Sequence, residues 1–248
     1  MNQTKHLNNA PIIEAIIDIQ AKFHNKPAIE ALSNAHNKFN DLYPIKKTRQ
    51  SKTLTIKIGK EGDQSAQEES EVMGLSFENH KEGQIVQFSV NGFSYHKLKP
   101  YTSWEEISAA ALPLWQHYCE AAQPASVNRI ALRYINRLEF PGHNLDFDDY
   151  LVAGPKVPKE LPQGISQYLT RIVINEPTIQ AEAIITQAYE GGITPQREVP
   201  VILDVDVFKI CECEPSSSKV WEILAQLRNF KNLIFFKSLT QKGQEVFK

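Results

Sequence analysis

Between Ile12 and Phe23 the chain alternates: Ile13, Ala15, Ile17, Ile19, Ala21 and Phe23 share one face, while Glu14, Asp18, Gln20 and Lys22 share the other. That two-residue period predicts a strand with one side on a core and the other polar. From Pro27 to Leu42 the spacing becomes helical, with Ile29, Leu32, Ala35, Phe39 and Leu42 on one stripe, Asn25 as cap and Pro44 as the stop. Lys52 to Ile58 alternates again, whereas Lys60 to Glu71 holds almost nothing apolar and reads as a mobile acidic loop. Strands follow at Val72 to Phe77, Gln84 to Val90 and Phe93 to Leu98. Asn91-Gly92 joins the last two, and its tolerance of positive φ predicts a type I′ hairpin turn. Ser103-Trp104-Glu105-Glu106 has the form of a capping box, so a helix starts there and runs to about Ala122, with a kink expected at Pro113.

After Pro124 the order begins again. Val127 to Phe140 reads as a strand, Asp146 to Leu151 as a short helix capped by Asp146, and the stretch to about Pro162 as a Pro-rich connection. Strands at about Tyr168 to Asn175, Gln180 to Tyr189 and Val199 to Cys211 precede a long helix from Ser216 to about Phe236, with Val220, Leu224, Leu227, Phe230 and Ile234 on its buried stripe. Two halves, residues 1–124 and 125–248, thus share the order strand, helix, three strands, helix. They predict an α+β fold, antiparallel sheets with helices on one face, packed as one compact unit. The repeat rests on element order and not on matched residues. Its topology resembles the saddle of the TATA-binding-protein fold class, with the helix-grip class of ligand-binding domains as the competing analogy.

Composition narrows the field. Of 248 residues, 27 are Lys or Arg and 29 Asp or Glu, a formal charge of −2, with 42% hydrophobic and 23% charged. Disorder and a collagen-like chain are excluded, and only a local patch is left to attract nucleic acid or an anionic membrane. Met1 to Ala10 has no apolar segment of the signal-peptide kind, and no apolar run approaches the roughly 18 residues of a membrane span, so no membrane association is expected. Cys119, Cys211 and Cys213 are an odd number without framework spacing, which fits a reducing compartment and places the chain in the cytoplasm.

The chain contains no G-x-S-x-G, no phosphate-binding Gly loop, no G-x-G-x-x-G and no H-E-x-x-H. Its seven histidines are scattered without metal-ligand spacing, and Cys211-Glu212-Cys213-Glu214 has no second thiolate pair to close a tetrahedral site. No cofactor and no metal site are therefore expected. The most informative polar set lies on Val127 to Phe140, where the two-residue period puts Arg129, Arg133 and Arg137 on one face, about 13 Å between successive ones. Asp204 and Asp206 face away from the core on Val199 to Ile210, and Glu14 and Asp18 do the same on the first strand. With the first strands of the halves adjacent, Glu14 and Asp18 would lie near Arg133 and Arg129. Three readings follow: a cross-strand ion-pair network that fixes register; a groove in which the three arginines and Asn136 hold a carboxylate or phosphate; and an acid/base or metal site on Asp204 and Asp206.

Weaker signals lie elsewhere. Lys46, Lys47, Arg49, Lys52, Lys57 and Lys60 form a basic stretch that suits a phosphate backbone or a lysine-protected strand edge. Phe88, Phe93 and Tyr95 suit a base-stacking platform or a core. Phe230, Leu233, Ile234, Phe235 and Phe236 give the last helix more apolar surface than a one-sided helix needs, for burial or for a partner surface.

Asn9-Ala10-Pro11-Ile12-Ile13-Glu14-Ala15, Asn91-Gly92-Phe93-Ser94, Pro100-Tyr101-Thr102-Ser103-Trp104-Glu105, Leu132-Arg133-Tyr134-Ile135-Asn136-Arg137, Val201 to Phe208 and Lys231 to Thr240 together resemble a sporadically distributed, functionally uncharacterised family of bacterial and archaeal proteins of this same length. The resemblance covers essentially the whole chain and carries no catalytic residue, substrate or cofactor. Its patchy distribution implies an accessory role beside mobile-element, toxin-antitoxin or phage-defence partners. The expectation is a non-catalytic binding or assembly module with a protein partner or a second copy. A small-anion or nucleotide-binding protein or metal-dependent enzyme on the charged face, and a nucleic-acid binder, are the alternatives.

Overall fold

The computed structural model describes residues 7, 9–58, 64–142, 146–192 and 198–248. In the first part of the chain the elements are β1 (Ile12–Lys22), α1 (Ile29–Ala35), β2 (Ile45–Ile58), β3 (Gln64–Asn79), β4 (Gln84–Ser89), β5 (Gly92–Leu98) and α2 (Trp104–Ala122). The rest supplies β6 (Ser126–Pro141), α3 (Phe147–Tyr150), β7 (Tyr168–Glu176), β8 (Ala181–Tyr189), β9 (Glu198–Cys213), α4 (Lys219–Ser238) and α5 (Gln241–Glu245). The nine strands of the described residues join one antiparallel sheet in the order β2-β3-β4-β5-β1-β6-β9-β8-β7. The fold is α+β, as the patterning predicts. β1 and β6 pair at the centre, Ile17 opposite Leu132, so one sheet runs unbroken through both parts of the chain.

Alternation decides which face the helices cover. Ile17 and Ile19 of β1, Leu132 and Tyr134 of β6, Val205 and Val207 of β9 and Phe93 and Tyr95 of β5 are all buried under helices. Removing one such aliphatic side chain from water is worth about 1.5–3 kcal/mol, which fixes the register because a one-residue slip would expose the whole set. α2 starts where the capping box places it, with Ser103 as N-cap, its Oγ accepting from Glu106 N at 3.1 Å, and presents Ile107, Ala111, Leu114 and Tyr118 to the sheet. α4 lies over β6 and β9 with Val220, Leu224, Leu227 and Ile234 inward. Trp115 Nε1 donates to Pro215 O at 3.0 Å and ties α2 to the approach of α4.

Several expectations change. The helix of Pro27 to Leu42 ends at Ala35 and passes through a 3-10 turn, His36–Lys38; Ala28 stands at its N-cap, so Asn25 is no cap, and Leu42 is exposed. The acidic segment read as a mobile loop is strand from Gln64 onward, paired with β2 from Ser51↔Glu71 to Ile58↔Gln64; residues 60–63 lie outside the described residues. β4 is far shorter than β2 and β3, so this part of β2 and β3 is a two-stranded ribbon beyond the sheet, and residues 51–54 and 68–71 in it are all exposed, with no buried face among them to impose an apolar period. The β4–β5 hairpin exists, but its loop is Val90-Asn91, and neither Asn91 nor Gly92 has positive φ, which rules out type I′. Gly92 answers a different need: a Cβ there would stand 2.5 Å from Ile19 O, so it lets β5 approach β1. Phe88, Phe93 and Tyr95 are core and form no stacking platform.

Candidate functional site

Among the described residues no helix covers the other face of the sheet, where the charged residues singled out above meet. Arg129 donates from Nη1 to Asp18 Oδ1 at 2.9 Å, its Nη2 lies 3.6 Å from Asp206 Oδ2, and its Cζ stands 4.6 Å from the Phe208 ring centroid. Arg133 binds Asp204 with two nitrogens, Nε at 2.9 Å from Oδ1 and Nη2 at 2.5 Å from Oδ2. Arg137 turns to Glu139 at 2.9 Å. Asp18 thus pairs with Arg129 as expected. Glu14 takes another partner, His96 Nδ1 at 2.8 Å, while Ser94 Oγ hydrogen-bonds the far side of that ring at 2.9 Å. The His96 hydrogen bond holds the Glu14 carboxyl below its usual range. Burial pushes Asp18 and Asp206 up, against the pull of Arg129. The Asp204 hydrogen bonds raise Arg133 further.

A depression of about 350 Å³ at the centre of this face is bounded by Asp18, Gln20, Arg49, His96, Arg129 and Arg133. Each of the three predicted arginines of β6 already spends its guanidinium on a carboxylate of this chain, and Asp204 spends both oxygens on Arg133. That geometry favours the ion-pair network over the anion groove and over the paired-carboxylate site. Asn136 does not belong to the group: it is buried on the helix-covered face, its Nδ2 donating to Leu203 O at 2.9 Å and Tyr134 O at 3.3 Å. Successive residues of a strand alternate faces, so Asn136, two after Tyr134, falls with Tyr134 and away from Arg133 and Arg137.

The remaining candidates separate. In the basic stretch, Lys47 pairs with Glu78 at 2.7 Å, Lys52 with Glu68 at 2.8 Å, and Lys46 donates to Ser33 Oγ at 2.6 Å; Lys60 lies outside the described residues. On α4, Phe230, Ile234 and Phe235 are buried and Phe236 is half-buried, which leaves Leu233 exposed. Cys211 and Cys213 neighbour each other on β9, and burial pushes Cys211 up to about 11. No helix among the described residues is long and apolar enough to cross a membrane.

The two sheet edges differ in kind. β2 carries Lys46, Lys47, Arg49 and Lys52 along its described length, the charged guarding that keeps an edge from pairing with other chains. β7, the opposite edge, has Arg171 as its one cation and leaves Leu169 71%, Ile172 51% and Val173 45% exposed. Leu169 and Val173 lie on the open face and Ile172 on the other, so β7 shows apolar side chains on both. Sequence reading placed this strand but missed its edge position, which depends on strand order and not on its own pattern. It also missed Lys231 in the middle of the α4 stripe, whose signal was a cation at a position the helical period reserves for the core. The chain matches no family model and no curated protein.

Proposed function

We propose that the chain is a non-catalytic binding module that assembles with a second copy of itself along β7. The observation that carries this reading is the unguarded edge: a strand with no paired strand on one side among the described residues and large apolar side chains exposed on both faces. Antiparallel addition of the same strand from a second copy satisfies those backbone groups and covers Leu169, Ile172 and Val173 with their equivalents. The interface moves from the C-terminal helix to β7, because Phe230 and Phe235 are already used inside the chain. Pairing of β1 with β6 at the sheet centre supports a saddle of two related halves, although four strands follow α1 and only three follow α3. The family resemblance supports an accessory role in a mobile-element, toxin-antitoxin or phage-defence cassette, with the balanced charges of the open face setting partner selectivity.

Light scattering on the purified chain tests the reading. The wild type is expected at twice the monomer mass and Val173→Lys and Ile172→Lys at the monomer mass, with unchanged circular dichroism. A monomeric wild type at micromolar concentration, or variants that keep the dimer mass, would overturn it.

A further inference from the structure

α4 interrupts its own apolar stripe. Val220, Leu224, Leu227 and Ile234 face the sheet, and between them stands Lys231, itself only 7% exposed. Its Nζ lies 3.6 Å from the Tyr134 ring centroid, and among the described residues no carboxylate or carbonyl accepts from it. The charge that acts on it is Arg228, one turn earlier and of the same sign. Arg228 itself is answered at the rim by Glu105, 3.3 Å away. Among the described residues Lys231 is answered by nothing but a ring face, and burial together with Arg228 brings its ammonium down to about 7. An isolated charge in such a place costs several kcal/mol, and a fold that only needed to fill this volume would use Leu or Met.

The lysine borders a cavity of about 150 Å³ at the end of the sheet. Its walls come from Leu7 and Ala10 to Ile12, from Tyr101 to Glu105, from Asn136 of β6, and from the face of α4 between Arg228 and Phe236. Tyr101 to Glu105 includes the start of the 19-residue α2, where Ser103 Oγ serves Glu106 N and the first-turn N–H groups before it are free of that cap. The ionisable groups around Lys231 are Arg228 on its own helix, Glu105 and Glu106 on α2, Tyr101 on the loop and Tyr134 on β6, the two phenols sharing a 3.3 Å hydrogen bond. Glu105 offsets Arg228, and Glu106 stands exposed. One positive charge, that of Lys231, is left over inside.

We propose that this cavity is a binding site for a small organic monoanion, a carboxylate on a compact apolar body, with the carboxylate on Lys231 Nζ and the body against Ile12, Tyr101 and Phe235. A single uncompensated cation selects one negative charge, which favours a carboxylate over a phosphate dianion. The volume, below the roughly 300 Å³ of common small-molecule sites, limits the body to a few heavy atoms. Asn232, half-buried and lining the same wall, supplies an amide donor beside the lysine.

Titration calorimetry and thermal unfolding with propionate, benzoate and inorganic phosphate, each at up to millimolar concentration, test the site independently of self-assembly. The two monocarboxylates are screened near neutral pH, and at least one is expected to bind the wild type and raise its melting temperature. Because the bound carboxylate favours the ammonium form, binding at pH 8 is expected to take up a proton, read as a heat that depends on the ionisation enthalpy of the buffer. Lys231→Met is expected to weaken binding by about tenfold or more, the loss of one charge-assisted hydrogen bond. Asn232→Asp, which brings a negative charge to the wall, is expected to weaken it as well without touching the core. Three results would overturn the proposal: no binding of either carboxylate, tighter binding of phosphate than of both, or equal binding by Lys231→Met.

Discussion

Arg133 shows how a side chain that reads as a ligand from its spacing becomes a structural one in the sheet. The period of β6 placed it correctly on the polar face, and the same argument foresaw Asp18 beside Arg129, which is 2.9 Å away. It could not foresee that Arg133 would reach diagonally to Asp204 and leave Glu14 to His96, because that choice depends on the lateral order of β5, β1, β6 and β9. Lys231 gives the sharpest consequence at this scale. Its folded value of about 7 lies below the roughly 10.4 of an unfolded lysine, so between those values the unfolded chain binds more protons and stability rises with pH. Lys231→Met removes that rise. The variant is expected to be more stable than the wild type at pH 7, by about 1–3 kcal/mol, with the gap closing toward pH 10, as read by urea denaturation across the range. Cys119 and Cys211, raised by burial to about 12 and about 11, pull the other way at alkaline pH, but equally in both proteins.

Elements with one buried face were the ones that pattern reading located well. β1, β6, β9, α2 and α4 each have a wet side and a dry side, and their bounds differ from the expected ones by only a few residues. The outer part of β3 has no dry side among its described residues, and its Glu68, Glu69 and Glu71 imitate a loop. Its order comes instead from pairing with β2, where Lys52 meets Glu68. α5 is too short to show a period. The β4–β5 hairpin was located correctly for an incorrect reason, since Gly92 serves contact between strands and not the turn. Gly92→Ala therefore should cost stability although no positive φ is at stake. A Cβ 2.5 Å from Ile19 O and 3.0 Å from Gln20 Cα forces β5 away from β1, and the expected loss is about 1–3 kcal/mol by urea denaturation at pH 7. An unchanged midpoint would mean that the two strands part without cost.

At the scale of the whole molecule, the one-faced sheet was legible because the alternation is consistent across strands that never meet in sequence. The strand order was not, since nothing local states which edge β7 or β2 will occupy. Central pairing of β1 with β6 makes the two parts of the chain thermodynamically one object. Calorimetry is expected to show a single unfolding transition, and Leu132→Ala at the β1–β6 contact should lower it as a whole, by about 2–5 kcal/mol; two transitions that respond separately would refute this. The same strand order governs how the chain matures as it leaves the ribosome. β1 to β5 and α2 can assemble early, and β6 adds to β1 as soon as it appears. The other side of β6 then waits, because β7 and β8, made next, pair only with each other until β9 emerges and slots between β8 and β6. From Pro141 to Glu198 the nascent chain therefore carries an open, half-apolar strand, and the speed of translation across that interval sets how long it is exposed to the wrong partner.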